Sequence, residues 1–284
     1  MLKSLLTSKN SDPSTPDQVR DVRNITEVAL EHGGFSKAQL QYVHENGDRY
    51  KAGFQEFIRN FTLPAVYPEF ALEVAIELLG AGKVVSCEQH CTAFGQEVPH
   101  GTLVVCPTLE QLQQAAEENK SGNTDWRVVY VSALSFPQQR QIVGTDSDNQ
   151  PCFYDQDWYL EDSEKAWANG KPEAGYYLVD FKGRWNSTNW QGQEDKITAL
   201  GEDYERADER VFSQGLLSIF KISGQRLFEN DYHWGRTLGS DGDRVFVGLF
   251  DSGGLVVGHV HPSRSYSILW VCVARKSSVR CLVA

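Results

Sequence analysis

The stretch DRVFVGLFDSGGLVVGHVHPSRSYSILWVCVARK, Asp243 to Lys276, reads as three strands. DRVFVGLF, GLVVGHV and SILWVCVAR are short apolar runs rich in β-branched residues, and the Asp, Gly and Ser between them are turn formers. The two ends are ordinary scaffold, but the middle carries His259, His261, Ser263, Arg264, Ser265, Tyr266 and Ser267 in quick succession. Charge also sets the segment apart. Residues 245–284 hold one acid, Asp251, against Arg264, Arg275, Lys276 and Arg280, a balance of +3 in a chain of −11, which leaves −14 for residues 1–244.

Upstream, GYYLVDF from Gly175 predicts a strand. Ser187 or Thr188 caps a predicted helix carrying Ile197, Leu200 and Tyr204. A second helix from about Asp208 places Phe212, Leu216, Ile219 and Phe220 at i, i+4, i+7 and i+8, a core-facing stripe. The order is strand, helix, helix, strands.

The first eighty residues read as a helical unit. Val22, Ile25 and Ala29 are at helical spacing; Ser36 caps a second helix through Val43; Tyr50, Phe54, Phe57 and Ile58 mark one face of a third. PEFALEVAIELLGAGK makes a fourth, opened by Pro68 and closed by Gly80 to Gly82. KVVSC, GTLVVCP and WRVVYVSAL are then strand-like, with a helix at about Leu109–Glu118. NKSGNTD, just before Trp126, is the expected domain boundary. The expected fold class is α+β: residues 1–125 form a helix-rich region, and residues 126–284 form a mixed domain with two helices and an antiparallel sheet.

Forty per cent hydrophobic and 11% aromatic residues exclude a disordered chain. The start, MLKSLLTSKNSDPSTPDQ, contains no secretory h-region, and no run of apolar residues is long enough to span a bilayer. The six cysteines are accordingly expected to be reduced, and the expected location is the cytoplasm. A net charge of −11 argues against general nucleic-acid affinity.

Metal and catalytic motifs carry less. Cys87, Cys91, His100 and Cys106 are soft ligands, but they lack the paired short spacings of a zinc site, so buried thiols are expected. DSDN, Asp146 to Asn149, lacks the Gly and distal Glu of a calcium loop and reads as a surface turn. His259 and His261 share one face of a strand and offer a metal chelate, but no acid follows them. Neither GxSxG, GxxxxGK[ST] nor a strand-linked GxGxxG occurs. Trp234, set among polar and turn residues in NDYHWGR, is the best candidate for a surface or pocket aromatic.

YHWGR, DRVFVGLFDSGGL and LWVCVARK resemble the closing part of the C-type lectin-like fold, in the branch related to formylglycine-generating enzymes. The resemblance covers about a hundred residues, 176–276. It implies that terminal strands pair and that loops project from a compact scaffold. The family's Leu-Pro-Thr element and the calcium signatures of its sugar-binding members are absent, and no cysteine arrangement supports the oxidative chemistry. Within this branch the chain is similar to the variable proteins of diversity-generating retroelements, which carry mutable positions near the C-terminus. That mechanism alters template adenines, and Asp251 to Ala274 contains no Lys, Glu, Gln or Met, residues that an altered AAC codon does not readily yield.

The expected function is therefore non-catalytic binding of a protein or small-molecule ligand. The surface would comprise His259, His261, Ser263, Arg264, Ser265, Tyr266 and Ser267 with Asp251, His233 and Trp234, without cofactor or metal. Tyr, Ser, Arg and His form an effective recognition set. The alternatives are a metal-dependent enzyme using His259 and His261, or a structural assembly protein.

Overall fold

The computed structural model describes residues 72–277 and 279–283. The helices expected at Val22–Ala29, Ser36–Val43 and Tyr50–Ile58 lie outside the described residues. The described residues form one compact unit of mixed α/β structure. Its helices are α1 (Leu72–Leu79), α2 (Cys87–Phe94), α3 (Leu109–Lys120), α4 (Phe136–Val143), α5 (Lys165–Ala168), α6 (Trp190–Leu200) and α7 (Glu209–Ser223). Its strands are β1 (Val84–Val85), β2 (Leu103–Cys106), β3 (Trp126–Val131), β4 (Gly175–Arg184), β5 (Tyr204–Arg206), β6 (Tyr232–Leu238), β7 (Arg244–Asp251), β8 (Gly254–Val260), β9 (Leu269–Arg275) and β10 (Val279–Leu282). NKSGNTD is thus a turn from α3 to β3 inside the unit, closed by Asn119, whose side chain bonds both the N–H and the C=O of Trp126.

The ten strands among the described residues belong to one sheet, whose main run is β1-β3-β4-β9-β6-β7-β8, with β2 joining β4 to β10 and β5 joining β9. The sheet is mixed where an antiparallel one was expected: β1–β3, β2–β4 and β6–β9 are parallel. The central strands alternate between two buried faces. Val129, Val131, Val179, Phe181, Cys272 and Ala274 meet α7, which contributes Phe212, Leu216 and Leu217. Val128, Tyr130, Leu178, Val271 and Val273 meet the other face, covered by Ala75, Leu112, Ala115 and Ile197 of α1, α3 and α6. Burial on both faces is why β3 and β9 read as continuous apolar runs rather than alternating ones.

Local chemistry fixes the helix starts. Ser86, Thr108 and Ser135 each cap a helix whose third residue is Gln89, Gln111 or Gln138, and each Gln returns a side-chain bond to the cap backbone. Asn189, not Ser187 or Thr188, caps α6, because its side chain accepts from the Gly192 N–H; Tyr204 falls beyond that helix, on β5. Helix α7 begins where the helix from about Asp208 was expected, and Asp208 caps it by accepting the Arg210 N–H.

Strand β6 was not anticipated. Its Gly235 lies against the buried Glu209 carboxylate, which accepts the Arg236 N–H at 2.8 Å and the Thr237 hydroxyl, binding β6 to the start of α7. The outer strand β8 is overlaid by residues 152–158. Leu255 bonds Cys152 and Tyr154 through the backbone, and the Trp158 indole N–H donates to the Val257 carbonyl at 2.7 Å.

Gly183 sits at φ +76°, and a Cβ there would fall 2.6 Å from the His233 ring. Gly183→Ala is expected to lower stability by at least about 1–2 kcal/mol, the cost of a left-handed non-glycine residue. Urea denaturation checks this, and an unchanged midpoint would mean that the ring is not packed on β4.

Candidate functional site

The β8–β9 connection, residues 261–268, places His261, Ser263, Arg264, Ser265, Tyr266 and Ser267 in solvent. Its backbone is nevertheless fixed. Pro262 and Tyr266 accept backbone N–H bonds from Trp190 and Ser187, each at 3.0 Å, and Ser267 accepts one from the Asn186 side chain at 2.6 Å. Within the loop, the Arg264 N–H donates to His261 and the Leu269 N–H to Tyr266. The strained corner that supplies these donors has Trp185 and Ser187 at φ 52° and 53°. Trp190 is held in turn between the guanidinium groups of Arg206 and Arg244, 4.4 and 3.8 Å from its ring centroid. The loop's backbone is thus held by the 186–190 corner and by the His261 ring, which accepts the Ser263 N–H, while the side chains of Arg264, Ser265, Tyr266 and Ser267 stay exposed.

His259 and His261 do not share a site. His261 Nδ1 lies 2.7 Å from Ser263 Oγ. His259 stacks on Trp158, with ring centroids 4.3 Å apart, and its Nδ1 lies 3.2 Å from Asp241 and 3.4 Å from Asp243. The acid absent after His261 in sequence thus comes from the turn between β6 and β7. Asp241 and Asp243 were not singled out in the sequence; the only local signal is that their Asp-Gly-Asp turn precedes a strand. Their approach to His259 follows from the β7–β8 register, which pairs Val245 with His259.

The other three candidates lie elsewhere. Asp251 is at the opposite end of the β7–β8 hairpin, paired with Gly254, and its side chain caps the turn by accepting the Gly253 N–H. The seven residues of β8 separate it from His261 by roughly 20 Å. Trp234 is fully buried and His233 is 1% exposed, so both belong to the core rather than to a surface. Polar neighbours in sequence suggested exposure for Trp234, but β6 lies inside the sheet between β7 and β9. The His233 ring is stacked on Phe228 at 3.5 Å and contacts the Cys272 thiol. Burial lowers its pKa to about 3, so the ring is neutral.

Cys87 and Cys91 lie one turn apart on α2 with sulfurs 3.8 Å apart, and all six cysteines are free and buried. Burial raises the Cys91 thiol to about 12, so it is a neutral thiol near pH 7. DSDN is a surface turn in which Asp146 accepts the Asp148 N–H. Among the described residues, no helix is long and apolar enough to cross a membrane. Comparison of the chain with family models, curated proteins and solved structures finds no match.

His90, bonded to Ser218 and Ser132, is also lowered to about 3 by burial. Both histidines titrate near their ordinary value of 6.5 once unfolded. Their contribution to stability is complete above that pH and is lost as pH falls from about 6.5 toward 3, because the unfolded chain then binds more protons. Stability at pH 5 is expected to be about 2 kcal/mol lower per histidine than at pH 7. Urea titrations at the two pH values test this, and equal stabilities would mean that the rings are open to protons.

Proposed function

We propose that this chain is a non-catalytic binding protein that displays a variable recognition surface, His261–Ser267 flanked by His259, on a C-type lectin-like scaffold. The observation that carries this reading is the separation of roles in the β8–β9 loop. Its shape rests on hydrogen bonds from Asn186, Ser187 and Trp190, and its side chains are exposed. At Arg264 to Ser267 such a loop accepts different side chains without a new backbone, as a diversified surface requires.

Connectivity supports the scaffold. Strand β4 is followed by α6, the three-residue β5 and α7, then by the β6–β7–β8 meander, and β9 returns antiparallel to β4. This is the order, with pairing of its terminal strands, that the resemblance implies. A protein partner suits the exposed loop better than an enclosed small molecule. Neither the cavity of about 260 Å³ bordered by Tyr177, Glu205, Asp208 and Arg236 nor the more open one of about 500 Å³ beside Gln89, Thr92 and Lys221 takes a residue from it. A metal-dependent enzyme built on His259 and His261 draws no support from their geometry, because the two rings engage different groups.

Replacing His261, Arg264 and Tyr266 together by alanine is expected to change stability by no more than about 0.5 kcal/mol per substitution and to abolish partner binding. A loss of several kcal/mol in urea denaturation would make these residues structural and remove the proposal's basis. Active diversification further requires a near-copy of the coding segment for Asp251–Ala274 in neighbouring DNA, differing mainly at adenines, beside a reverse transcriptase. Sequencing the source locus reads this directly.

A further inference from the structure

The Asp241, Asp243 and His259 side chains converge from two different turns of the sheet, and we propose that they bind a divalent transition cation of the zinc class. This goes beyond the recognition reading and stands independently of it. One ligand atom from each residue lies within 4.8 Å of the other two, and His259 Nδ1 is 3.2 and 3.4 Å from the two carboxylates. A tetrahedral cation with nitrogen and oxygen ligands at about 2.1 Å has ligand-to-ligand edges of about 3.4 Å, so the imidazole already stands at coordination spacing from both acids.

The donors are held from outside the trio. Trp158 stacks on the His259 ring at 4.3 Å and is itself fixed by its bond to Val257. The turn carrying the two aspartates is anchored by Glu164, a buried carboxylate from a separate segment, which accepts the Ser240 N–H at 3.1 Å and the Ser240 hydroxyl. Preorganisation of this kind raises metal affinity.

Charge points the same way. Among the described residues, Asp241 and Asp243 have no lysine or arginine within ion-pair distance, so no fixed cation of the chain occupies the place a divalent ion would take between the two carboxylates. An imidazole nitrogen beside two carboxylate oxygens favours zinc or a neighbouring transition ion over calcium or magnesium, which prefer oxygen throughout. Three protein ligands leave at least one coordination position open, as in sites that exchange water or an outside ligand.

The test is calorimetric titration of the full, tag-free chain with Zn²⁺, repeated for His259→Ala, for the isosteric Asp241→Asn, Asp243→Asn double variant, and for His261→Ala. Circular dichroism and metal-free urea denaturation first establish that each variant is folded. The expected result is one equivalent of Zn²⁺ bound by the parent and by His261→Ala, with binding at this stoichiometry lost in the other two. Trp158→Ala is expected to weaken it by roughly tenfold or more. The absence of stoichiometric binding in the parent would overturn the proposal. So would binding that survives in His259→Ala, or displacement of the zinc by millimolar Ca²⁺.

Discussion

Strand β9 is inserted between β4 and β6, antiparallel to one and parallel to the other, and the continuity of the main sheet depends on that insertion. Without it, the β1-β3-β4 part and the β6-β7-β8 part share no pairing within that run. β9 lies about ninety residues from β4 in sequence, so its docking carries a large loop-closure cost. Its side chains offset this by entering both cores, with Val271 and Val273 on one face and Cys272 and Ala274 on the other. Arg275 at its end donates to Glu118 of α3, where Trp126 and Tyr204 also donate. Burial pushes the Glu118 carboxyl up, but these donors and the charges of Arg275 and Arg184 more than offset it and leave it below the usual range.

The loop preceding β9 inherits this fixity. It is bounded by β8 on one side and by the anchored start of β9 on the other, while the corner before α6 holds its middle. Loops are ordinarily the softest parts of a fold, and recognition by a soft loop carries an ordering cost. Here Trp190, with two arginine guanidinium groups against its ring, keeps the supporting corner in place, so part of that ordering is already built into the loop.

Where sequence order and spatial order coincide, the chain could be read directly. The β7–β8–β9 strands, β4, α3 and α7 were all visible as apolar runs or stripes, and the mixed polar residues at 261–267 do mark an exposed segment. Helix α2 escaped because KVVSC continues a strand pattern up to the cap, although Ser86 and Gln89 form a capping box that signals a helix. Strand β6 escaped because His233, Gly235 and Arg236 obscure its period; it is recruited by β7, β9 and Glu209 rather than by its own pattern. That recruitment buries His233 and Trp234. The meeting of Asp241 and Asp243 with His259 depends on hairpin register, which no local spacing encodes.

The cover over β8 limits how another chain can engage the sheet. A bare outer strand invites a stranger's backbone to add to it and is a common starting point for aggregation. Here Cys152, Tyr154 and Trp158 already occupy the hydrogen-bonding positions of Leu255 and Val257, and at the far end of the main run β1 offers only two residues. Along that run, β-augmentation has little purchase. Contact there falls to side chains, which can be exchanged one at a time without unzipping the fold.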